Sequence, residues 1–182
     1  MAATLCDVGY WRVGLDHFCL PEDSMSVAQS RGTLRRNFQG YTTDKSDVLL
    51  GFGASAIGRL DQGYVQNEVG TRAYTKTLAS GRLATVRGHV LTDEDRMRGE
   101  IIERIMCDFG ADVGQRCGRY RRTPGAVLGS PSRIKDLVAA GVASMNGANI
   151  RVADDARFLV RNVAATFDDY LDGSRMLHSR AV

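Results

Sequence analysis

Residues 35–60, RRNFQGYTTDKSDVLLGFGASAIGRL, contain an apolar run from Asp47 to Gly53 that enters a turn rich in small residues: Gly51, Gly53, Ala54, Ala56 and Gly58. A wholly apolar run of this length predicts a strand buried on both faces, as in a parallel sheet. Small residues after such a strand let the backbone come close to a ligand at the strand's carboxyl end. The same residues suit a tight turn packed against its own neighbours, and the sequence leaves both open. Gly51, Gly53 and Ala56 occupy the three positions of a dinucleotide-binding fingerprint. Gly58 and Gly63, however, interrupt the helix which that fingerprint needs, and no acid stands between Glu68 and Asp93 to hold a ribose. A dinucleotide site is excluded.

Towards the N-terminus, residues 10–21, YWRVGLDHFCLP, alternate. Trp11, Val13, Leu15, His17 and Cys19 fall on one face, with Arg12, Gly14, Asp16 and Phe18 on the other, which predicts one strand closed by Pro21. Neighbouring strand residues point to opposite faces, so Asp16 and His17 are not expected to hydrogen-bond as a dyad. A helix is expected over 22–30, ending near Gly32. Strand, helix and buried strand together predict part of a parallel α/β sheet. Two strands are too few to close one, so its other neighbours are expected from elsewhere.

Towards the C-terminus the pattern turns helical. A helix is expected over 66–78, with a stop at Gly81. In residues 91–110, LTDEDRMRGEIIERIMCDFG, Thr92 and Asp95 form a short-armed capping box. Met97, Ile101, Ile105 and Phe109 make an apolar stripe widened by Ile102 and Met106, and Gly110 ends the helix. Another helix is expected over 131–140 before Gly141. Asn146-Gly147 then marks a hairpin. A last helix with Leu159, Val160, Val163, Phe167, Tyr170 and Leu171 on its apolar face is expected to stop at Gly173. Helices followed by a hairpin resemble a winged-helix module.

Composition narrows the class. A chain of 182 residues with 43% hydrophobic and 25% charged side chains is that of a globular protein, and a formal net charge of +3 is too mild to argue for nucleic acid. No apolar run approaches a bilayer span, so a cytoplasmic chain without a membrane partner is expected. Cys6, Cys19, Cys107 and Cys117 lack the tight spacing of a zinc or cluster-binding loop. No Ser-His-Asp set, phosphate-binding loop or metal-ligand group appears, so no catalytic residue and no metal ligand is assigned. Arg116, Arg119, Arg121 and Arg122 flank Tyr120, but Asp136 accompanies Arg133 and Lys135 on the helix that would read a duplex, and a solvated face is expected. A non-catalytic winged-helix-like module holding nucleic acid or protein is the alternative function.

The stretches GLDHFCLPEDSMSVAQSRGTLRRNFQGYTT, DVLLGFGASAIGRL, YVQN and GHVLTDEDRMRGEIIERIMCDF, in that order, resemble the C-terminal part of the oxygen-independent coproporphyrinogen III oxidases. The DHF-LP and NFQGYTT segments carry the resemblance most specifically. It implies an α+β fold: the last strands of a partial radical-SAM β/α barrel over residues 1–65, then a mainly helical, winged-helix-like domain over 66–182 with a small β-hairpin. It also implies an enzyme that uses S-adenosylmethionine and a [4Fe–4S] cluster, held by a C-x₃-C-x₂-C loop, to generate a 5′-deoxyadenosyl radical. That radical initiates oxidative decarboxylation of two propionates of coproporphyrinogen III to vinyls, giving protoporphyrinogen IX. The cluster loop is absent here, so the chain is expected to be one part of such an enzyme, inactive alone, with the N-terminal barrel half as its partner. Ile57, ending GFGASAI, matches an isoleucine that contacts S-adenosylmethionine, and Phe38 and Gln39 match residues of the same cofactor pocket.

Overall fold

The computed structural model describes residues 2–128 and 132–171. The chain divides into two compact units: Met1–Thr43 with Met97–Val182, and Asp44–Arg96. The expected junction at residue 65 therefore falls inside the second unit. In chain order the elements are α1 (Ala2–Asp7), β1 (Trp11–Val13), β2 (His17–Cys19), α2 (Ser24–Ser30), β3 (Arg35–Asn37) and β4 (Gly40–Thr42). Next come β5 (Ile57–Leu60), β6 (Gly63–Asn67), α3 (Thr71–Ala79), β7 (Thr85–Val90) and α4 (Asp93–Asp108). The chain continues with β8 (Gly110–Asp112), α5 (Val113–Arg119), α6 (Gly125–Leu128), α7 (Ser132–Ala139), β9 (Ala143–Asn146) and β10 (Asn149–Val152). A 3₁₀ turn, Asp154–Leu159, leads into α8 (Val160–Ala165). The fold is mixed helix and sheet, with no closed barrel among the described residues.

Every ladder among the described residues is antiparallel, which corrects the expected parallel sheet. The alternating segment 10–21 is likewise not one strand. It folds back as a hairpin, with Val13 opposite His17 and Trp11 opposite Cys19. Gly14 makes the reversal at φ +57°, a conformation that favours glycine. A Cβ there would also lie 2.1 Å from the Tyr41 ring. The apolar run 47–53 is a further correction. It forms only an isolated bridge, Leu49 to Arg59, and Phe52 is 87% exposed. A strand needs a neighbour to satisfy its backbone, and composition alone does not supply one.

Helix α4 begins in the second unit, which holds its cap, and from Met97 onward it is the element around which the first unit packs. The capping box forms as expected: Thr92 N–H donates to Asp95 Oδ2 at 2.8 Å, and Asp95 N–H donates to Thr92 Oγ1 at 3.2 Å. Met97, Ile101, Ile105 and Phe109 are all buried in one core with Val113, Ile134, Ile150, Val160 and Phe167. The helix stops one residue earlier than expected. Phe109 itself adopts φ +57°, while Gly110 enters β8, where a Cβ would meet the Ile150 carbonyl oxygen at 2.7 Å. The strands of that sheet run in the order β8-β10-β9. Asn146 pairs with Asn149, so the turn residues are Gly147 and Ala148, one position later than the Asn-Gly reading. Gly147 alone of the two has positive φ, +60°, as in a II′ hairpin turn. Tyr170 and Leu171, expected on an apolar face, are exposed. Pro131 and Gly173 lie outside the described residues.

A smaller core of Val13, Ala28, Leu34 and Cys107 joins the N-terminal hairpin and α2 to the far end of α4. Asp23 caps α2 by accepting from Met25 N–H at 2.8 Å, and Gly32, at φ +63°, follows its last turn as expected. The second unit has strand order β5-β6-β7 with α3 between β6 and β7. Helix α3 begins at Thr71 because residues 66 and 67, expected to be helical, end β6 instead.

Candidate functional site

Phe38 and Gln39 form the two-residue tip of the β3–β4 hairpin, with Asn37 paired to Gly40. Asn37 builds the tip: its Oδ1 accepts from Gln39 N–H at 2.8 Å and from Gly40 N–H at 3.3 Å. Both tip residues are exposed, Phe38 by 55%. An exposed phenyl ring beside an exposed carboxamide on a rigid turn can supply stacking and hydrogen bonds to a ligand. Ile57, the first residue of β5, is half-buried opposite Gln66 and belongs to the other compact unit. The structure thus sets Phe38 and Gln39 side by side, with Ile57 on a separate unit.

Behind the tip stands Tyr41, which sequence reasoning did not single out. Its hydroxyl accepts from Leu15 N–H at 2.9 Å and donates to the Met106 carbonyl at 3.0 Å. Burial is the main cause that pushes this phenol above its ordinary value, so it stays protonated and keeps donating. The His17 ring meets the Tyr41 ring edge to face at 5.2 Å, and the Arg36 guanidinium lies over it at 5.6 Å. His17 Nδ1 is 3.0 Å from Asp16 Oδ1. The expectation that these two cannot pair is corrected. Asp16 sits in the hairpin turn, where the strand rule of opposite faces does not apply. GYTT shows only an aromatic with a polar end two residues beyond the tip; the partners that give Tyr41 its role are too distant in sequence to be read from it.

The glycine turn is held by its own unit. The Asn67 side-chain amide donates to the carbonyls of Gly51 and Gly53, each at 3.1 Å, and Gly53 N–H donates to the Tyr74 hydroxyl at 3.1 Å. A Cβ at Gly51 would stand 2.9 Å from the Ile57 carbonyl, and one at Gly58 would stand 3.0 Å from the Leu49 oxygen. These glycines answer to packing of the chain on itself. Only Gly53, at φ +104°, has open space beside it.

The cysteines do not fit an iron–sulfur cluster. Such a cluster needs gathered thiolates, whereas Cys6 is exposed on α1, Cys19 lies on β2, and Cys107 and Cys117 are buried. Burial pushes the Cys107 thiol to about 12 and raises those of Cys19 and Cys117. No group of three or more potential metal ligands occurs among the described residues. None of the helices described is long and apolar enough to cross a membrane.

No family model matches the chain. Relatives are nevertheless plain. An oxygen-independent coproporphyrinogen III oxidase of Bradyrhizobium diazoefficiens is 58% identical over all 182 residues, which cover 40% of that protein. This chain matches the C-terminal part of the oxygen-independent coproporphyrinogen III oxidases. An anaerobic coproporphyrinogen III oxidase of Cereibacter sphaeroides is 41% identical over 89% of the chain and 36% of the relative. The solved coproporphyrinogen III oxidase of Escherichia coli, a radical SAM enzyme, superposes with a TM-score of 0.86 at 34% identity, over 93% of this chain and 39% of its own. The chain therefore spans two-fifths or less of the length of these oxidases.

Proposed function

We propose that this chain contributes the C-terminal part of an oxygen-independent coproporphyrinogen III dehydrogenase, acting in the cytoplasm. The complete enzyme would oxidatively decarboxylate two propionates of coproporphyrinogen III to vinyls, in haem synthesis, using S-adenosylmethionine radicals. The observation that carries this is 58% identity sustained over the whole chain, with no segment left unmatched. Phe38, Gln39 and Ile57 would contact S-adenosylmethionine through stacking, carboxamide and apolar contacts. The thiols here do not fit the [4Fe–4S] cluster, so radical generation is assigned to cysteines of the family's barrel, supplied as the partner of these residues.

The order α4-β8-α5-α6-α7-β9-β10 supports the winged-helix-like description of the domain expected over residues 66–182. Its role here is packing, since the face that would meet a duplex carries Asp136 beside its cations and the net charge is only +3.

The test is anaerobic. The chain is assayed for 5′-deoxyadenosine and decarboxylated product, alone and with the cluster-binding part of the Bradyrhizobium relative. Product only in the mixture, with cofactor binding weakened by Ile57→Asp, is the expected result. Product from this chain alone would overturn the assignment of the radical step, and none from the mixture would overturn the function.

A further inference from the structure

Arg36 stands two residues before the Phe38–Gln39 tip, on the strand opposite Tyr41. Its neighbour Arg35 is committed, with Nε donating to Glu103 at 3.0 Å, and Arg104, Arg116 and Arg119 are likewise paired with acids. Arg36 is different. Its backbone N–H donates to Glu103, but no carboxylate among the described residues engages its guanidinium, which is exposed and lies over the Tyr41 ring. That ring is held at both sides of its hydroxyl, by Leu15 and Met106, and flanked by the Asp16-tethered His17. A guanidinium stacked on a fixed aromatic ring keeps its planar fork of donors available and loses little freedom on engaging a partner.

We infer that Arg36 is a carboxylate-binding residue of the substrate site, engaging a propionate through its guanidinium fork. This rests on the porphyrinogen reading above. A substrate whose reaction removes carboxylates one side chain at a time must be held by propionates that are not reacting, and planar bidentate recognition of carboxylate is what arginine does best. Position supports it: Arg36 shares its hairpin with the two residues matched to the cofactor pocket, so an anion held there lies near the reacting centre. Arg36 is a specificity and positioning residue in this account. It takes no part in electron or hydrogen transfer.

The probe is coproporphyrin III, the stable oxidised form of the substrate, with its tetramethyl ester as the uncharged counterpart. Trp11, the single tryptophan and 51% exposed, reports binding by fluorescence quenching. Arg36→Gln is expected to weaken the acid about tenfold, in keeping with loss of a charge-assisted pair. It should leave the ester unaffected, and Arg36→Lys should recover part of the loss. Arg72→Gln removes the same charge from exposed α3 and controls for net charge; it should change nothing. Acid binding that is unchanged in Arg36→Gln, or lowered equally by Arg72→Gln, overturns the assignment of Arg36 and leaves the porphyrinogen reading standing. Failure of the unaltered chain to bind the acid at all overturns both.

Discussion

The Tyr41 hydroxyl donates to the Met106 carbonyl across 3.0 Å, and by doing so it closes the last turn of α4. The final four carbonyls of a helix lack partners within it. Here Ile105 accepts from Phe109 N–H, Met106 from Tyr41, and Cys107 from Gln29 Nε2 at 2.8 Å. Tyr41→Phe would leave Met106 O and Leu15 N–H without that partner. A destabilisation of about 1–3 kcal/mol is expected, read as a lower urea midpoint with an unchanged slope. An unchanged midpoint would mean that water replaces the hydroxyl at no cost.

Asp108 gives a pH prediction whose sign is unusual for an ion-paired acid. Arg104 Nη1 donates to Asp108 Oδ2 at 2.9 Å, yet Asp108 Oδ1 is buried without a partner. Burial outweighs the attraction and raises the carboxyl above its ordinary value. The folded state therefore holds the proton more tightly than the unfolded chain. The contribution favours folding below the unfolded value and is lost as pH rises through the folded one. Urea titrations from the acid side to neutrality should find the stability of the native chain falling relative to Asp108→Asn over that window. A relative rise would show that Arg104 prevails over burial.

Cysteine reactivity should follow burial. Cys6 on the exposed face of α1 is expected to alkylate first and Cys19 next, while Cys107 and Cys117 stay protected in the folded chain. The thiol of Cys107, held near 12 by burial, offers almost no thiolate at neutral pH. Iodoacetamide labelling followed by peptide mass mapping checks the order. Early labelling of Cys107 would contradict the core in which it sits.

Two glycines should respond oppositely to alanine. At Gly14 the positive φ and the Tyr41 ring both oppose a Cβ, and a loss of at least about 1–3 kcal/mol is expected from the backbone conformation alone. Gly99 lies inside α4 with open space around it, so Gly99→Ala should stabilise the chain by about 1 kcal/mol through helix propensity. Thermal melts of the two variants give the comparison.

What could be read from sequence follows from how local each determinant is. Helix α4 was legible because its cap, stripe and stop all lie within residues 92–110. The run 47–53 was misread because apolar composition records a tendency to be covered without naming the cover. The 10–21 segment was misread because alternation survives a reversal, so Val13 and His17 looked like strand neighbours when they are cross-strand partners. Phe38 and Gln39 were matched to a cofactor pocket only through resemblance. Tyr41 was missed because its two hydrogen bonds reach Leu15 and Met106, separations of 26 and 65 residues that no motif spans.

The unit formed by residues 1–43 and 97–182 is interrupted by the whole of the other unit, and this has a consequence during synthesis. Chains emerge from the ribosome N-terminus first and fold by units. Val13, Ala28 and Leu34 are made long before Cys107, the core partner they need. The intervening residues 44–96 can pair β5 with β6 and β7 while the first 43 residues still wait. Nascent chains of increasing length should therefore gain protease protection in the inserted unit first, and only later, once α4 has emerged, in the segment that precedes it.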